Sequence, residues 1–547
     1  MRALVDVLAA IGAVGWLTLI ARVMLVAARM FQIEEYERAR FVRWAASSHW
    51  LAHRSVLAAL ALAVAGDVAG AIAYAAAPAW REVSVAAGWI AASVAGHALL
   101  RWQPAKKQLV FTARMRRLLA ASAAWAALAG AAVATTISIH AWPADAAVVV
   151  AGALTTELAV GLILLGNEVM RPVEAAVRRH YLRLAARRLA QIDPLVVAVV
   201  GSYGKTSTKH ILVQLLQPSI ETLPTRQSFN TLMGVSRVIN EDLQPQHRLF
   251  IVEMDAYGLG EIAAISGLVH PGVAVLTSVG PQHLERFGSM RRIAAALYEV
   301  VASLPPEGTA VIHTGDEGGV GLAKRATDEG HRVVRYALAG DGDADVVASE
   351  VQLDGHGARF RWVWPAERLQ FDVSIPLLGQ HQVLNVTAAL AAVHVLAYDV
   401  AAAITAATAL QPVEHRLQLL PTGGPVTVID DSYNANPVGV HNALDVLAAM
   451  DTGAKILVTP GIVELGAVED DENRRYGEHA ARVCAHVIVV AGGPAAALER
   501  GLRDGGLESS RIHVVRSLAD ATTLIGQLAR AGDVVLFAND LPDTYMA

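Results

Sequence analysis

The chain has 547 residues, of which 54% are hydrophobic and 17% are charged, and its mean hydropathy is +0.40. The length predicts about three domains, and the apolar balance predicts a membrane part beside them. The formal net charge of −5 gives no reason to expect a nucleic acid partner. The one cysteine, Cys484, excludes an internal disulfide framework.

Residues 1–170 are predicted to form a transmembrane helical domain. Five apolar segments there are each about long enough to cross a bilayer: Leu4–Ala27, Val56–Ala76, Val83–Leu100, Leu118–Ile139 and Ala146–Leu165. The connection from Arg101 to Arg117 holds six basic residues and no acidic one. The positive-inside bias therefore places the N-terminus outside and the chain after the fifth span in the cytoplasm. We expect a multi-pass protein of the plasma (inner) membrane, with membrane lipid as a partner.

Three ionisable residues fall within these predicted spans: Asp67, His97 and Glu157. They either line a polar site or form a structural hydrogen-bonded cluster. Residues 171–193 follow as a predicted basic linker helix. Its arginines either lie against anionic headgroups or face solvent on a connecting helix.

Beyond residue 194, short β-branched runs alternate with helical patterns, which predicts two α/β domains. Residues 194–410 are predicted to form a central ATP-binding domain with a doubly wound, mostly parallel sheet and a hairpin at Val346–Trp362. Residues 411–547 are predicted to form a smaller, Rossmann-like C-terminal domain.

A phosphate-binding loop is predicted between the strand Leu195–Val200 and a helix that begins at Lys205. The loop GSYGKTS comprises Gly201, Ser202, Tyr203, Gly204, Lys205, Thr206 and Ser207. Backbone N–H groups and the helix dipole attract the anion there, Lys205 adds a positive charge, and a hydroxyl can bind Mg²⁺. The loop is shorter than the general GxxxxGK[ST], because Val199 stands where the first glycine would be.

This short loop resembles that of the Mur ligase family, and further segments follow in the family's order. They are NTLMGV (230–235), VEMDAYGLGEIA (252–263), HLERFGS (283–289), GQHQVLN (379–385) and IDDSYNANP (429–437). Within the family the chain looks most like the ligases that add D-alanyl-D-alanine to a muramyl tripeptide. Those members carry a UDP-binding domain before the loop, and we expect the membrane spans to replace it here.

The resemblance implies an ATP-dependent, ADP-forming ligase of cell-envelope synthesis that uses ATP and Mg²⁺. A precursor carboxylate attacks the γ-phosphate of ATP, and the amine of an amino acid or dipeptide then displaces phosphate from the acyl phosphate. The implied catalytic residues are Lys205, Glu253 and His283, and the implied metal ligands are Thr206, Glu253 and His283. Asn385, Arg416 and Asp431 are implied to bind the nucleotide together with the loop, and Asn230, Tyr433, Asn434 and Asn436 are implied to bind substrate.

The sequence also departs from the family at the second metal position. The family's metal-bridging lysine would fall near Ala295 or Leu297, and neither can replace it. Two other functions therefore stay open: a poly-amino-acid synthetase of the poly-γ-glutamate or cyanophycin type, and a catalytically weak nucleotide-binding membrane scaffold. ADP formation that depends on an amine acceptor separates the ligases from the scaffold. The sequence does not indicate an oligomeric state.

Overall fold

The computed structural model describes the chain in segments. The described residues are 2–47, 79–99, 109–140, 159–226, 229–421, 424–433, 436–450, 453–463 and 465–539, with several positions between 61 and 72. Contacts divide the chain into two compact units, Met1–Arg178 and Arg179–Ala547.

The first unit is helical where it is described. Its helices are α1 (Arg2–Ile33), α2 (Arg38–Ser47), α3 (Ala79–Leu99), α4 (Ala113–His140) and the first part of α5 (Ala159–Ile192). Apolar side chains of these helices pack on one another, and Phe31, Phe41 and Met115 are fully buried in one cluster.

The prediction of a five-span membrane domain is wrong. In the ranges that the structure describes, no helix combines the length and the apolarity that a membrane crossing requires. Some of the apolar residues, among them Phe31 and Met115, pack in a helix–helix core. Between α1 and α3, Arg22 donates to the carbonyl oxygen of His97 at 3.1 Å. Most of the predicted span Val56–Ala76 and the start of Ala146–Leu165, with Asp67 and Glu157, lie outside the described residues.

Two further predictions depended on those spans. The location in the plasma (inner) membrane, with the N-terminus outside, is wrong for the same reason, and membrane lipid is not supported as a partner. The residues of the predicted linker helix lie in α5, where Arg188 donates to the carbonyl oxygens of Leu243 (2.7 Å) and Asn240 (3.2 Å). These bonds lie within the second unit, which begins at Arg179. The proposed domain limits remain a prediction.

A nine-stranded sheet forms the larger layer of the second unit, in the order β2-β3-β1-β4-β5-β6-β7-β8-β9. The elements in chain order are β1 (Leu195–Val200), α6 (Lys205–Leu216), β2 (Thr222–Pro224), α7 (Leu232–Glu241), β3 (Leu249–Glu253), α8 (Glu261–Val269), β4 (Val273–Leu276), α9 (Leu284–Phe287), α10 (Met290–Ala302), β5 (Thr309–His313), α11 (Glu317–Asp328), β6 (Arg332–Leu338), β7 (Val346–Asp354), β8 (Gly357–Trp364), β9 (Leu369–Ile375), α12 (Gln380–Val395) and α13 (Val400–Ala407).

The sheet is mixed rather than uniformly parallel. Strands β1 to β7 pair in parallel, whereas β7, β8 and β9 are antiparallel neighbours. The predicted α/β series is thus confirmed, with the hairpin turning between Asp354 and Gly357. Because β1, β3, β4 and β5 run in the same direction, their carboxyl ends meet at one edge, where open α/β sheets bind ligands.

A six-stranded sheet follows, in the order β10-β11-β15-β12-β13-β14, and only β10 is antiparallel to its neighbour among the described strands. Its elements are β10 (Gln418–Leu420), β11 (Thr427–Asp431), α14 (Pro437–Ala449), β12 (Lys455–Thr459), α15 (Glu469–Val483), β13 (His486–Val490), α16 (Ala495–Asp504), β14 (Ile512–Val515), α17 (Leu518–Leu528) and β15 (Val534–Ala538).

Trp362 lies in the main core of the nine-stranded sheet. It is fully buried, and its indole Nε1 donates to the carbonyl oxygen of Thr387 in α12 at 3.4 Å. We expect Trp362→Ala to lower the free energy of unfolding by about 3–5 kcal/mol, because it leaves a cavity in a packed core. Denaturant unfolding measures this loss. Leu353→Ala, at a partly exposed position of β7, is the matched control, and an equal loss in both variants would contradict the expectation.

Candidate functional site

The loop after β1 requires glycine at two positions. Gly201 has a φ of 141° and Gly204 a φ of 79°, both in the region that favours glycine. A Cβ atom on Gly201 would lie 2.1 Å from Thr277 Oγ1, and one on Gly204 would lie 2.5 Å from Asn385 Oδ1. Gly204 also precedes α6 directly, so the free N–H groups of the first helical turn are available to an anion at the loop.

The rest of the loop is fixed to the segment that follows β4. Ser202 Oγ donates to the carbonyl oxygen of Gly280 and accepts from its N–H group, each at 2.9 Å. The N–H group of Tyr203 donates to Ser278 Oγ at 3.1 Å, and burial raises the pKa of the Tyr203 phenol. Ser207 is buried in the first turn of α6. The loop is therefore held in shape by neighbouring backbone and hydroxyl groups.

The ammonium group of Lys205 folds back onto the loop. Its Nζ donates to the carbonyl oxygen of Gly201 at 2.7 Å and to Gln282 Oε1 at 3.0 Å, and it lies 3.3 Å from Asp255 Oδ1. The side chain is only 7% exposed. A positive charge thus stands at the mouth of the loop, where a longer bond to the carbonyl oxygen of Ser202 (3.5 Å) also holds it.

Glu253 ends β3 beside this loop. Its Oε1 accepts from Thr206 Oγ1 at 3.2 Å and from Asn230 Nδ2 at 3.3 Å. Hydroxyl and carboxylate oxygens are ligands that Mg²⁺ prefers, and nucleotide phosphates and waters commonly complete its coordination. The residues present therefore fit Mg²⁺. Within the described ranges no group of three or more His, Cys, Asp or Glu side chains could hold a metal ion. A Mg²⁺ site with a single protein carboxylate does not require such a group, because phosphates and waters supply the other ligands.

His283 stands before α9 and is buried. Its ring centroid lies 4.6 Å from that of Tyr257. It lines a cavity of about 10 Å³ together with Asp255, Gln282 and Leu297. Leu297 is apolar, so the residues here do not fit a metal bridged by a lysine, and we derive no step through a second metal. His283 as a metal ligand remains a prediction.

A second group of predicted residues lies at the six-stranded sheet. The guanidinium of Arg416 lies 4.8 Å from the ring centroid of Tyr433, and Asp431 Oδ1 accepts from the N–H group of Leu417 at 3.2 Å. Arg416 lines a cavity of about 470 Å³, a size typical of small-molecule sites.

Asn385 connects the two groups. Its Oδ1 accepts from Thr208 Oγ1 at 3.2 Å and faces Gly204 of the loop. Its Nδ2 donates to Gln382 Oε1 at 3.0 Å, and Gln382 lines the cavity that also contains Arg416. The predicted nucleotide residues of the two sheets thus belong to one connected region.

One predicted substrate residue has a structural role instead. Asn436 caps α14, because its side chain accepts from the N–H group of Gly439 at 2.7 Å. Its side-chain oxygen therefore stabilises the first turn of the helix. Asn434 lies outside the described residues, whereas Tyr433 is 48% exposed and available to a ligand.

Burial raises the pKa of Asp431 to about 7, although the charge of Arg416 opposes the rise. The folded state therefore binds this proton more tightly than the unfolded state does, and stability falls as the pH rises from about 4 towards about 7. We expect Asp431→Asn to lose this part of the pH dependence. Denaturant unfolding across this pH window measures it, with Asp372→Asn on the surface as control. Parallel stability curves for Asp431→Asn and the wild type would contradict the expectation.

Sequence reasoning missed Lys209 and Asp255. Lys209 Nζ lies 2.9 Å from Glu253 Oε2, and its side chain is wholly buried. The available signal was its spacing of four residues from Lys205, which places both lysines on one face of a helix. Asp255 follows β3 by two residues, at the ligand-binding edge of the sheet.

Comparisons with known proteins give a consistent result. The family profile described as "Mur ligase middle domain" matches residues 199–393, and "Mur ligase, glutamate ligase domain" matches residues 415–539. The UDP-N-acetylmuramoyl-tripeptide–D-alanyl-D-alanine ligase of Mycobacterium tuberculosis is 32% identical over 385 residues, which are 66% of this chain and 74% of that protein. The Escherichia coli protein of the same name is 32% identical over 301 residues, covering 54% and 64%.

Solved structures agree with these relatives. MurF from Acinetobacter baumannii superposes with a TM-score of 0.59 at 28% identity, covering 66% of this chain and 77% of that chain. MurF from Thermotoga maritima, solved in complex with ADP, also gives a TM-score of 0.59, at 26% identity and coverages of 66% and 80%. The predicted ADP-forming ligase and its predicted cofactors, ATP and Mg²⁺, are thereby confirmed. The chain belongs to the Mur ligase family of ATP-dependent, ADP-forming ligases.

Proposed function

We propose that this chain joins an amino acid or a dipeptide to the carboxylate of a cell-envelope precursor through an acyl phosphate. The substrate class follows the relatives, whose names specify a UDP-N-acetylmuramoyl-tripeptide and D-alanyl-D-alanine. The observation that carries the proposal is the arrangement of Lys205, Thr206 and Glu253 at the carboxyl edge of the nine-stranded sheet.

In the first step an acceptor carboxylate oxygen attacks the γ-phosphorus of ATP. The bond from that phosphorus to the β,γ-bridging oxygen breaks, and ADP leaves with its electron pair. The loop N–H groups and the ammonium of Lys205 offset the negative charge on the phosphates and hold them in place. Thr206 and Glu253 would hold Mg²⁺, which would supply further positive charge there.

In the second step the amine nitrogen attacks the acyl carbon. The bond from that carbon to the phosphate oxygen breaks, inorganic phosphate leaves, and the nitrogen loses a proton to give the amide. The chain contributes mainly by placement, which makes the encounter effectively intramolecular. Asn230 stands beside Glu253, and Tyr433 offers an exposed ring under Arg416; both are suited to contact a substrate.

The test is an assay of the full-length protein for amide and ADP. UDP-N-acetylmuramoyl-tripeptide and D-alanyl-D-alanine are supplied with MgATP, and each is omitted in turn. We expect one ADP per amide formed, and we expect hydroxylamine to trap the acyl phosphate when the amine is omitted. Nucleotide binding without ADP formation would favour the scaffold, and a ladder of products from a single amino acid would favour the polymer synthetase.

A further inference from the structure

Lys209 has an ammonium group that is shielded from water. Its side chain on α6 is 0% exposed, and Nζ lies 2.9 Å from Oε2 of Glu253, whose side chain is 3% exposed. The contact is a close ion pair whose geometry falls short of a directed hydrogen bond. Burying two charges carries a large desolvation cost, and apolar side chains of similar size are often equally stabilising. Stability alone therefore does not account for a lysine here.

The ion pair also sets the direction of the carboxylate. Oε2 faces Lys209 in the packed layer between helix and sheet, whereas Oε1 accepts from Thr206 and Asn230 beside the phosphate loop. The backbone N–H group of Glu253 donates to Thr225 Oγ1 at 3.1 Å and fixes the end of the strand. One oxygen of Glu253 is thus committed to an ammonium group, and the other points to the nucleotide side.

We propose that Lys209 is a positioning residue for Glu253. Its ammonium holds Oε2 and offsets the negative charge of the carboxylate, so that Oε1 alone is left to bind a metal ion. The inference rests on the proposed function, because it takes Glu253 to bind the Mg²⁺ that accompanies ATP. The ammonium at Oε2 offsets the charge of the carboxylate, so free Mg²⁺ meets little net attraction there. Mg²⁺ that arrives with a triphosphate brings anionic oxygen ligands of its own. The metal therefore enters with the nucleotide rather than before it.

The experiment measures Mg²⁺ binding without turnover. Calorimetry and thermal unfolding are recorded with MgCl₂ alone and with MgCl₂ plus ADP, for the full-length wild type, Lys209→Met and the double variant Lys209→Met/Glu253→Gln. We expect MgCl₂ alone to leave the wild-type melting temperature unchanged. Lys209→Met should bind free Mg²⁺ at least about tenfold more tightly, and its melting temperature should rise with MgCl₂. The double variant lacks both charges and should not respond.

The results that overturn the proposal are specific. If Lys209→Met binds Mg²⁺ no more tightly than the wild type does, Lys209 has only a structural role. The same follows if the substitution lowers the melting temperature equally with and without MgCl₂. Tight binding of Mg²⁺ alone to the wild type would also overturn the proposal, whether or not the variant folds. If the wild type forms no amide from the supplied acceptor and amine, the proposed function fails, while the comparison of Mg²⁺ binding still decides the role of Lys209.

Discussion

Replacing Lys205 with alanine is expected to lower ATP turnover by about 10²–10³-fold while the fold persists. The ammonium is the one side-chain charge at the mouth of the described loop that is suited to face the transferring phosphate, and loss of a single preorganised charge donor commonly has an effect of this size. The fold should persist because Asp255, the anionic partner, keeps contact with water at 17% side-chain exposure.

Steady-state ADP formation measures the loss, and circular dichroism reports the fold. Lys324→Ala is the matched control, because that lysine is 74% exposed and forms a surface ion pair with Asp328 four residues away. We expect wild-type turnover from the control. Unchanged ADP formation in Lys205→Ala would contradict the prediction that this loop binds the phosphates of the nucleotide.

Glu253→Gln is expected to shift the Mg²⁺ dependence of activity to concentrations about 10–100-fold higher. The amide keeps an oxygen near Thr206 but loses the negative charge. The variant should also lose about 3–5 kcal/mol of stability, because it leaves the ammonium of Lys209 buried without its partner. Activity is therefore measured as a Mg²⁺ titration at a temperature where unfolding curves show the variant to be folded.

Two comparisons sharpen this result. Glu241→Gln changes a half-exposed carboxylate and should titrate like the wild type. His283→Ala should shift the titration less than Glu253→Gln does, since the cavity beside His283 has an apolar wall at Leu297. A wild-type Mg²⁺ titration in Glu253→Gln would show that Glu253 is not the metal ligand that the family resemblance implies.

The α/β part of the fold could be predicted because its signals are local. The strand Leu195–Val200 begins and ends at the predicted residues, since it is a β-branched run that ends at a glycine turn. The antiparallel β8 and β9 at the edge were harder to foresee as part of the same sheet, because pairing direction depends on partners distant in sequence.

The membrane prediction failed for a related reason. Hydropathy records how apolar a segment is, but an apolar, alanine-rich helix can bury its surface against other helices as well as in lipid. In the described helices Phe31 and Met115 bury their side chains in such a core. Composition alone could not separate these two environments.

The site could be predicted in part. Residues adjacent in sequence, such as the loop from Gly201 to Ser207, could be proposed because a local pattern carries their chemistry, and their role stays a prediction. The partners of Lys205 and Glu253 were not all found, because Asp255, Gln282 and Lys209 reach them only through the packing of separate elements. Asn436 shows the converse, since an asparagine within a family segment serves as a helix cap.

The engagement of Lys205 has a consequence for which anions the loop admits. Its ammonium is held by two backbone carbonyl oxygens, by Gln282 and by Asp255, so an arriving anion competes with these contacts. A single inorganic phosphate offers few contacts in exchange, whereas a polyphosphate chain also reaches the N–H groups along the loop. Selectivity between the two anions is the difference between their binding free energies. We therefore expect the loop to bind a nucleotide more tightly than orthophosphate.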